Sequence, residues 1–344
     1  MSKPSDLSAL VKSNGLPQFG IFPAPVRRIN YLDYDYRTPM GRRVGTLGKR
    51  ARFRQFQYFG GMSSELMFGC AIADMRFVAL AFLYVYQPST RSIRRYSFRV
   101  PLARGVTSSL SPVSGTTSFR ARGVSIEMTA TDAPATKRLV ARVDAGLEID
   151  AVFSEDEPAF QPMALCTQAG ISGWVYAQKA AGVPLAGQVR CDFGEYDLTA
   201  IDAHAHHDYS AGYMRRETFW RWACFSGRAE TGERIGLNLS CGVNETSVTE
   251  NCCWVDGVLG KVDLTTFDFD RDDPTAPWSI RSFDGAVDLR FHPEECHAER
   301  TNALVLATNF RHFLGHFEGT IRHQGRTLAV RDVYGLTEDH YAKW

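Results

Sequence analysis

The chain has 344 residues, enough for two domains of ordinary size or one large all-β unit. It carries 39 Lys and Arg against 38 Asp and Glu, a formal net charge of +1, so no global field favours nucleic acid or an anionic membrane. We predict neither nucleic-acid binding nor stable membrane insertion, because no apolar run approaches the roughly 18 residues that cross a bilayer.

The N-terminal residues MSKPSDLSALVKSNGLPQFG lack the basic and apolar regions of a secretory signal. We therefore expect a cytoplasmic protein with an N-terminal tail over residues 1–20. The eight cysteines include no CxxC pair, and we expect all of them to be reduced and mostly buried. Adjacent Cys252 and Cys253 should point to opposite faces of a strand, which argues against joint metal binding.

The region after the tail is less regular than the rest of the chain. Residues 41–61, GRRVGTLGKRARFRQFQYFGG, mix basic and aromatic residues as a site for single-stranded nucleic acid would. Given the neutral chain, we interpret this stretch as a solvated connection or a strand edge. The following run, GCAIADMRFVALAFLYVYQPSTRSIRRYSFRVPL, indicates two or three strands broken at Gln87-Pro88-Ser89.

A Pro- and acid-rich segment, FSEDEPAFQPMAL, occupies residues 153–165. Pro158 and Pro162 should stop any strand there. We place a domain boundary in this segment, which predicts an N-terminal β domain over residues 21–157 and a C-terminal β domain over residues 158–344.

The second half alternates apolar and polar residues with a period of two, which is typical of antiparallel β structure. In RIGLNLSCGV, for example, Ile235, Leu237 and Leu239 lie on one face. The strand TFWRWACFSG has large groups on both faces, so it should lie between two apolar layers or line a cavity. Hairpin turns are predicted at four dipeptides, Thr231-Gly232, Asp256-Gly257, Asp284-Gly285 and Gln324-Gly325. These patterns predict an all-β protein of closed or nearly closed antiparallel sheets.

The segment IDAHAHHDYSAGY, residues 201–213, contains the densest set of ionisable groups. On a strand, Asp202, His204, His206 and Asp208 would share one face. Two imidazoles and a carboxylate at this spacing can chelate zinc or ferrous iron, so His204, His206 and Asp208 form an alternative metal site. A solvated polar strand face is the simpler alternative.

An acid–base role is the other hypothesis for this segment. Asp208, with His206 or His207 beside it, precedes Tyr209, Tyr213 and a Trp-rich strand. A carboxyl group near an aromatic cavity loses hydration, so its pKa rises and it can donate a proton, which an imidazole can hold or relay. Alternatively, Asp208 organises a turn through backbone N–H groups or an arginine.

A second polar group of residues follows in GVNETSVTENCCWVDG. Glu250 and Asn251 lead into an apolar strand, and they need partners if buried. Together with Asn238 they lie on segments that could face the same cavity as Trp220 and Trp222. Structural ion pairs are the alternative to a catalytic role.

Several chemistries lack their motifs. The sequence contains no GxSxG elbow, no P-loop and no GxGxxG, so α/β-hydrolase, nucleotide hydrolase and dinucleotide-binding functions are not supported. We therefore predict no cofactor.

The motifs MRRETFWRWACFSGR, RIGLNLSCGVNE, TENCCWVDG, APWSIRSFDGAVDLRFHP and GLTEDHYAKW resemble those of the bacterial DUF2804 family. The similarity runs from SSELMFGCAIADMRF, near residue 63, to Trp344. More distantly, the chain is similar to the carotenoid 1,2-hydratase and AttH-like group. This resemblance implies two lipocalin-like, that is calycin-like, antiparallel β-barrel domains packed side by side.

In that group an Asp- and His-containing stretch near the domain junction is associated with protonation of an isoprenoid double bond. The stretch HHDYSAG resembles it, although Tyr209-Ser210-Ala211-Gly212 replaces the usual Trp-Gly. The resemblance nominates Asp208 as proton donor with His206 or His207, and we keep Glu250 as a reserve acid or base.

We therefore predict a cofactor-independent hydratase, isomerase or cyclase that acts on an isoprenoid, terpenoid or other lipid-like substrate in an apolar cavity near the junction. The residues predicted to contact substrate are Tyr209, Tyr213, Trp220, Trp222, Asn238, Asn251 and Trp254. The first alternative is a carrier of a lipophilic small molecule, and the second is a metal-dependent enzyme that uses His204, His206 and Asp208. The oligomeric state is left open.

Overall fold

The computed structural model describes residues 7–156, 160–243, 248–303 and 306–343. Within these ranges the chain is almost entirely β structure, with one α-helix, α1 (Thr46–Arg52), and two single-turn 3-10 helices (Tyr31–Asp33 and Pro88–Thr90). The early strands are β1 (Gly20–Phe22), β2 (Arg54–Met62), β3 (Met67–Asp74), β4 (Val78–Gln87), β5 (Ser92–Pro101), β6 (Val106–Thr107), β7 (Gly115–Ala121), β8 (Val124–Asp132), β9 (Ala135–Val143) and β10 (Leu147–Ser154). The middle strands are β11 (Met163–Ala169), β12 (Gly173–Pro184), β13 (Ala186–Cys191), β14 (Gly194–Asp197) and β15 (His204–Gly212). The late strands are β16 (Glu217–Arg228), β17 (Arg234–Cys241), β18 (Cys252–Val255), β19 (Val258–Lys261), β20 (Thr265–Asp268), β21 (Trp278–Ser282), β22 (Val287–Ala303), β23 (Leu306–His323) and β24 (Arg326–Lys343).

These strands form three antiparallel sheets. The first sheet has eight strands in the order β1-β11-β12-β15-β2-β3-β4-β5, and the second has seven in the order β14-β13-β10-β9-β8-β7-β6. The third sheet has nine strands in the order β19-β18-β17-β16-β24-β23-β22-β21-β20. The predicted all-β, lipocalin-like architecture is therefore confirmed.

The first unit consists of the first and second sheets, which pack face to face. Phe59 of β2 contacts Phe153 of β10 across this core, with ring centroids 5.2 Å apart. Buried side chains of both sheets belong to one apolar cluster, because alternate residues of each strand point inward.

The second unit is the third sheet, which curls so that its edge strand β20 approaches β17. The hydroxyl of Thr265 on β20 lies 3.5 Å from the carbonyl oxygen of Ser240 on β17. The core of the second unit contains Ile235, Leu237 and Leu239, as the alternation of β17 predicts. The four predicted hairpin turns each join consecutive strands of this sheet.

Strand β16 is covered on both faces, as its composition predicts. Trp222 and Cys224 belong to the cluster shared with the first unit, whereas Ala223 and Phe225 belong to the core of the second unit. Cys252 and Cys253 divide in the same way, so their predicted opposite orientation is confirmed.

The interpretation of residues 41–61 as a solvated connection or strand edge is wrong for its second half. Helix α1 has no buried residue, but β2 lies at the centre of the first sheet, between β15 and β3. Both faces of β2 are covered, so its sequence does not alternate clearly.

The predicted domain boundary at residues 157/158, and Pro158 with it, lies outside the described residues. In the described part, strands from before and after this point share the first and second sheets. Sheet membership changes between Gly212, at the end of β15, and Glu217, at the start of β16. We propose that the second unit begins in this interval.

Residues 7–19, which we predict to be part of a tail, contribute to a third apolar cluster. Leu10 and Val11 are buried there with Trp174 and Tyr213. Asn30 holds this segment, because its side chain bonds the backbone N–H and the carbonyl of Val11 at 2.8 Å each. No helix among the described residues has the length and apolar character needed to cross a membrane.

The two units meet where the first sheet packs on the third sheet, and we call this contact the junction. Strand β12 contacts β16, β17 and β18 there, and β15 contacts β16. At Gly182 and Gly236 the two backbones touch, since a Cβ on Gly236 would lie 2.4 Å from the carbonyl carbon of Ala181. The Ser226 hydroxyl accepts from the Gly182 N–H at 2.9 Å and donates to the Ala205 carbonyl at 3.0 Å.

Candidate active site

Strand β15 divides the predicted histidine-rich segment between two environments. Because neighbouring side chains of a strand point to opposite faces, His206 and Asp208 face the junction, whereas His207 faces the core of the first unit. The shared face predicted for His206 and Asp208 is therefore confirmed, and His207 cannot act on the same side as Asp208.

Asp208 lies at the centre of a buried ionic cluster. Its Oδ2 accepts from Lys179 Nζ at 2.6 Å, and its Oδ1 accepts from the Ser210 hydroxyl at 2.8 Å. Lys179, the cross-strand partner of Asp208 on β12, also reaches Oε1 of Glu250 at 3.3 Å. Its ammonium lies 5.6 Å from the ring centroid of Trp222. One cation therefore joins two carboxylates that come from different units.

Burial sets the protonation of this cluster. Removal from water raises the pKa of Asp208, and the nearby Glu250 carboxylate raises it further, against the opposing effect of Lys179. Although burial disfavours its charge, the carboxylates of Asp208 and Glu250 raise the pKa of Lys179. The lysine is therefore held as an ammonium.

Glu338 of β24 adds a third carboxyl group. Its Oε2 accepts from the indole N–H of Trp220 at 2.8 Å. Burial raises the pKa of Glu338 to about 7; the Trp220 N–H opposes this shift, the charge of Asp208 adds to it, and Lys179 again opposes it. A group with this pKa can both give and take a proton near neutral pH.

A chain of neutral polar groups lies beside the ionic cluster. His206 Nε2 is 3.1 Å from the hydroxyl of Tyr58, which is 2.8 Å from the hydroxyl of Tyr84. Burial lowers the pKa of His206 to about 3, so the ring is neutral. Gly60 and Gly69 make room for these groups, because a Cβ there would lie 2.1 Å from His206 and 2.2 Å from the Tyr58 hydroxyl.

The second imidazole has a separate environment inside the first unit. His207 Nε2 lies 3.3 Å from the side-chain nitrogen of Gln57, and its ring lies 6.4 Å from that of Phe153. Burial lowers the pKa of His207 well below its ordinary value, and the charges of Lys137 and Lys179 lower it further. The side chain of Asp208 accepts hydrogen bonds from Lys179 and Ser210, and the hydrogen bonds of His206 and His207 go to Tyr58 and Gln57 instead.

The residues of the alternative metal site do not converge. Asp202 precedes β15 and pairs with Arg228, and His204 lies 3.9 Å from Asp202. In the described ranges, the group of three potential ligands whose donor atoms converge is found elsewhere. His204, His206 and Asp208 therefore have separate partners.

The amides predicted to contact substrate have structural partners. Asn238 accepts from the Trp222 indole N–H at 2.8 Å and donates to the carbonyl of Glu250 at 3.1 Å, so it joins two members of the cluster. Asn251 accepts from the backbone N–H of Ser240 at 2.7 Å and donates to the carbonyl of Asp263 at 3.0 Å. Asn238 is thus beside the site, and Asn251 holds a loop.

Three predicted aromatic residues lie away from Asp208. The Tyr209 hydroxyl donates to the carbonyl of Ser109, and the Tyr213 hydroxyl donates to that of Tyr31. Trp254 is fully buried and its indole N–H donates to the carbonyl of Gln161 at 2.7 Å. These contacts fix the loop after β6, the N-terminal segment at Tyr31 and the segment at Gln161.

The cluster keeps limited access to solvent at the junction. The side chain of Asp208 is 11% exposed, and Ser210 and Trp220 are half-buried. Aromatic groups of the second unit follow: the ring centroid of His340 lies 4.1 Å from that of Trp220 and 4.7 Å from that of Phe310. Two open clefts lie elsewhere, one beside Tyr31 and Arg76 and the other beside Asp268 and Arg281. The apolar cavity at the junction stays a prediction.

Sequence reasoning missed Lys179, Glu338 and Tyr58. Lys179 is the one charged residue in GWVYAQKAAGVPLAG, residues 173–187, and a lone lysine in an apolar strand needs a buried anionic partner. That pattern could have identified it. Glu338 and Tyr58 have no comparable pattern, because their proximity to Asp208 arises from sheet packing.

The model of DUF2804, a domain of unknown function, matches residues 3–344. The chain belongs to the DUF2804 family. No curated protein matches the sequence.

Solved structures show how the DUF2804 fold relates to others. The chain aligns with CghA in complex with Sch210972 at a TM-score of 0.57 and 10% identity, over 96% of each chain. It aligns with kievitone hydratase from Nectria haematococca at 0.53 and 11%, over 84% of this chain and 89% of that one. An AttH-like protein from Nitrosomonas europaea gives 0.46 and 11%, over 84% and 92%. At these identities the first two likenesses concern the fold alone, and they confirm the predicted fold class.

Proposed function

We propose that this DUF2804 protein is a cofactor-independent acid–base enzyme that acts on a lipid-like small molecule, such as an isoprenoid or terpenoid, at the junction. The observation that carries this proposal is the set of three buried carboxyl groups, those of Asp208, Glu250 and Glu338, near the ammonium of Lys179. Asp208 and Glu250 contact this ammonium directly, and the charge of Asp208 acts on Glu338.

Burial of this cluster favours a stored proton. Removal from water disfavours the ionised forms of both Asp208 and Glu338, and the charge of Asp208 disfavours ionisation of Glu338 further. A proton held by Glu338 or Asp208 lowers that cost. Such a pair can donate a proton and recover it within one catalytic cycle.

The roles of the residues follow from their contacts. Glu338, held by the Trp220 N–H, and Asp208, held by Lys179 and Ser210, are the proposed proton donors and acceptors. His206 acts through the Tyr58 hydroxyl, which can donate a hydrogen bond to a substrate oxygen. Glu250 stays bound to Lys179 and keeps it in place.

The aromatic groups beside Glu338 suggest the substrate class. Trp220, Phe310 and the neutral ring of His340 offer apolar faces to a ligand, and burial lowers the pKa of His340 to about 3. The Trp222 ring already makes a cation–π contact with the Lys179 ammonium. Trp220 is therefore the better candidate to stabilise a developing positive charge. Hydration, isomerisation and cyclisation can all begin with such a protonation.

The fold supports this proposal by analogy. Kievitone hydratase has the same fold by its TM-score, and CghA has been solved with a small molecule, Sch210972. A small-molecule substrate at the junction of this chain agrees with both names. We also propose a cytoplasmic location.

The test is native mass spectrometry of the protein purified from its own cells, with chromatographic identification of any bound molecule. The variants are Asp208→Asn and Glu338→Gln, and Asp202→Asn is the matched control because Asp202 lies just before β15 and pairs with Arg228 instead. We expect wild type and control to release the same molecule. We expect the two site variants to release a precursor that differs by one water or is an isomer with a different retention time.

The opposite outcome would favour a carrier. If all four proteins release one unaltered molecule in equal amounts, the site binds its ligand without proton transfer. If none of the four proteins releases a bound molecule, lipid extracts of the same cells are tested as substrates in an activity assay. The absence of any consumed compound in those extracts would overturn the enzymatic proposal.

A further inference from the structure

A second group of ionisable side chains lies on the third sheet, apart from the junction carboxylates. His292 on β22 and His316 on β23 are direct cross-strand partners. Their imidazole rings are nearly parallel, with centroids 4.9 Å apart and an interplanar angle of 10°. Glu318 follows two residues after His316, so its side chain lies on the same face. One donor atom from each of these three residues lies within 4.8 Å of the other two.

The protonation of His316 can be assigned from its partner. His316 Nδ1 lies 2.9 Å from Oε1 of Glu294, and a carboxylate can only accept a hydrogen bond. Nδ1 therefore carries a proton, and Nε2 is the ring nitrogen that remains to bind a metal ion. The hydroxyl of Tyr86, from the first sheet, donates to the other oxygen of Glu294 at 2.7 Å. This contact fixes the carboxylate and, through it, the imidazole.

A histidine whose other ring nitrogen donates to an anchored carboxylate is the usual form of a metal ligand in proteins. His292 has a ring nitrogen that lies close to a carboxylate oxygen of Glu318 but has no hydrogen-bond partner. His292 Nε2 lies 2.5 Å from Oε1 of Glu318, but the nitrogen is buried and makes no hydrogen bond of acceptable geometry. The two atoms are therefore close together but do not form a hydrogen bond with each other.

A fourth donor atom, a carboxylate oxygen, is available at the same place. Oδ1 of Asp332 lies 3.9 Å from His316 Nε2, and its side chain is 74% exposed and able to move. Arg290 of β22 is the cross-strand partner of Glu318. Two imidazoles and two carboxylates would form a four-ligand set of the type that binds zinc.

We propose that His292, His316 and Glu318 bind a divalent transition-metal ion, with zinc favoured by the donor set, and that Asp332 completes the coordination. Glu294 and Tyr86 are positioning residues. Because Tyr86 belongs to the first sheet and the ligands belong to the third, the bound ion would strengthen a contact between the two units. This site is independent of the proposed enzymatic function.

The first experiment is calorimetric titration of the untagged, chelator-treated full chain with Zn²⁺, supported by native mass spectrometry for stoichiometry. We expect one ion per chain for wild type. His316→Ala and Glu318→Ala should each weaken zinc binding by at least about tenfold, as loss of a ligand does. The matched control is His297→Gln, because His297 lies outside the cluster on β22, the strand that also contains His292. This variant should bind zinc as wild type does.

The second experiment separates a metal site from a simple ion-pair network. Glu294→Gln and Tyr86→Phe leave all proposed ligands in place, and we expect a loss of zinc affinity of about 10- to 100-fold for Glu294→Gln. Circular dichroism of the metal-free variants tests whether they fold. Zinc should raise the Tm of wild type and of His297→Gln but not that of His316→Ala.

Three outcomes would overturn the proposal. The first is wild-type protein that binds no zinc at one per chain. The second is a folded His316→Ala variant with wild-type affinity and stoichiometry. The third is equal loss of affinity in His297→Gln, which would show that zinc binds to other surface histidines.

Discussion

At the scale of single residues, the junction is defined by charges that the fold brings together and withdraws from water. Lys179, Asp208 and Glu338 come from β12, β15 and β24, which are distant in sequence. Each is buried, so every change of protonation is felt by the others. The pH dependence of stability should therefore report on this cluster.

Glu338 gives a prediction with a defined sign. Its pKa rises from 4.5 to about 7 on folding, so the native state holds a proton that the unfolded state loses between these values. Stability therefore falls as pH rises through this window, by about 3 kcal/mol in all. In Glu338→Gln this loss should be absent, while the amide oxygen can still accept from Trp220.

Chemical denaturation of wild type and Glu338→Gln at several pH values between 4 and 8 measures this effect. We expect the stability of the variant relative to wild type to increase with pH by about 3 kcal/mol. Glu217→Gln is the control, because Glu217 lies on the exposed end of β16 beside Lys343. A constant difference between Glu338→Gln and wild type across this range would contradict the assignment.

The sequence predicts the candidate site only in part. Asp208, His206 and Glu250 are singled out by local residue density, and the structure places all three at the junction. The partner of Asp208 is not predictable in this way, because Lys179 reaches it through strand pairing 29 residues away. The histidine partner that local density suggests is replaced by this lysine.

At the scale of elements, local chemistry and packing determine different features. The turn at Asp256-Gly257 has positive φ at both residues, 48° and 84°, as a two-residue hairpin requires. Gln324-Gly325 has the same form, with φ of 49° and 78°. Such turns are readable from the sequence. Strands covered on both faces, such as β2, are not, because their composition does not alternate.

Gly236 gives a prediction about the contact between β12 and β17. A methyl group there would lie 2.4 to 2.6 Å from the backbone of Ala181 and Gly182, which cannot move as a side-chain end can. We expect Gly236→Ala to lower the free energy of unfolding by roughly 2–3 kcal/mol, as overpacking does.

The control for this substitution is Gly227→Ala, also in the third sheet. Its nearest contact would be the Val333 Cγ1 atom at 3.0 Å, the end of a side chain. Urea denaturation should show a loss under about 1 kcal/mol for this control. Equal losses in the two variants would mean that the two units do not meet closely at Gly236.

At the scale of the whole molecule, the two units are joined at several places along their strands. Besides the buried cluster, Arg95 of β5 pairs with Glu295 of β22 at 2.8 Å, and Phe82 of β4 lies 6.4 Å from Phe310 of β23. Contacts of this kind are not local in sequence. The alternation predicts sheets and the family resemblance predicts two units, but neither indicates that β11 to β15 complete the first unit.

This extended junction predicts a single cooperative unfolding transition. Neither unit can separate without breaking the ion pair between Lys179 and Glu250 or leaving apolar surface uncovered. Differential scanning calorimetry should give one transition with a van't Hoff enthalpy equal to the calorimetric enthalpy. Two resolved transitions would show that the units are energetically independent.

Strand β15 also restricts how this protein can change in evolution. Its odd-numbered side chains fill the first unit and its even-numbered side chains form the site. Deleting or inserting one codon within the strand would exchange the two sets, placing His207 at the junction and a charged Asp208 in an apolar core. Length variation in this gene should therefore be confined to the loops on either side of β15, while the strand itself changes only by substitution.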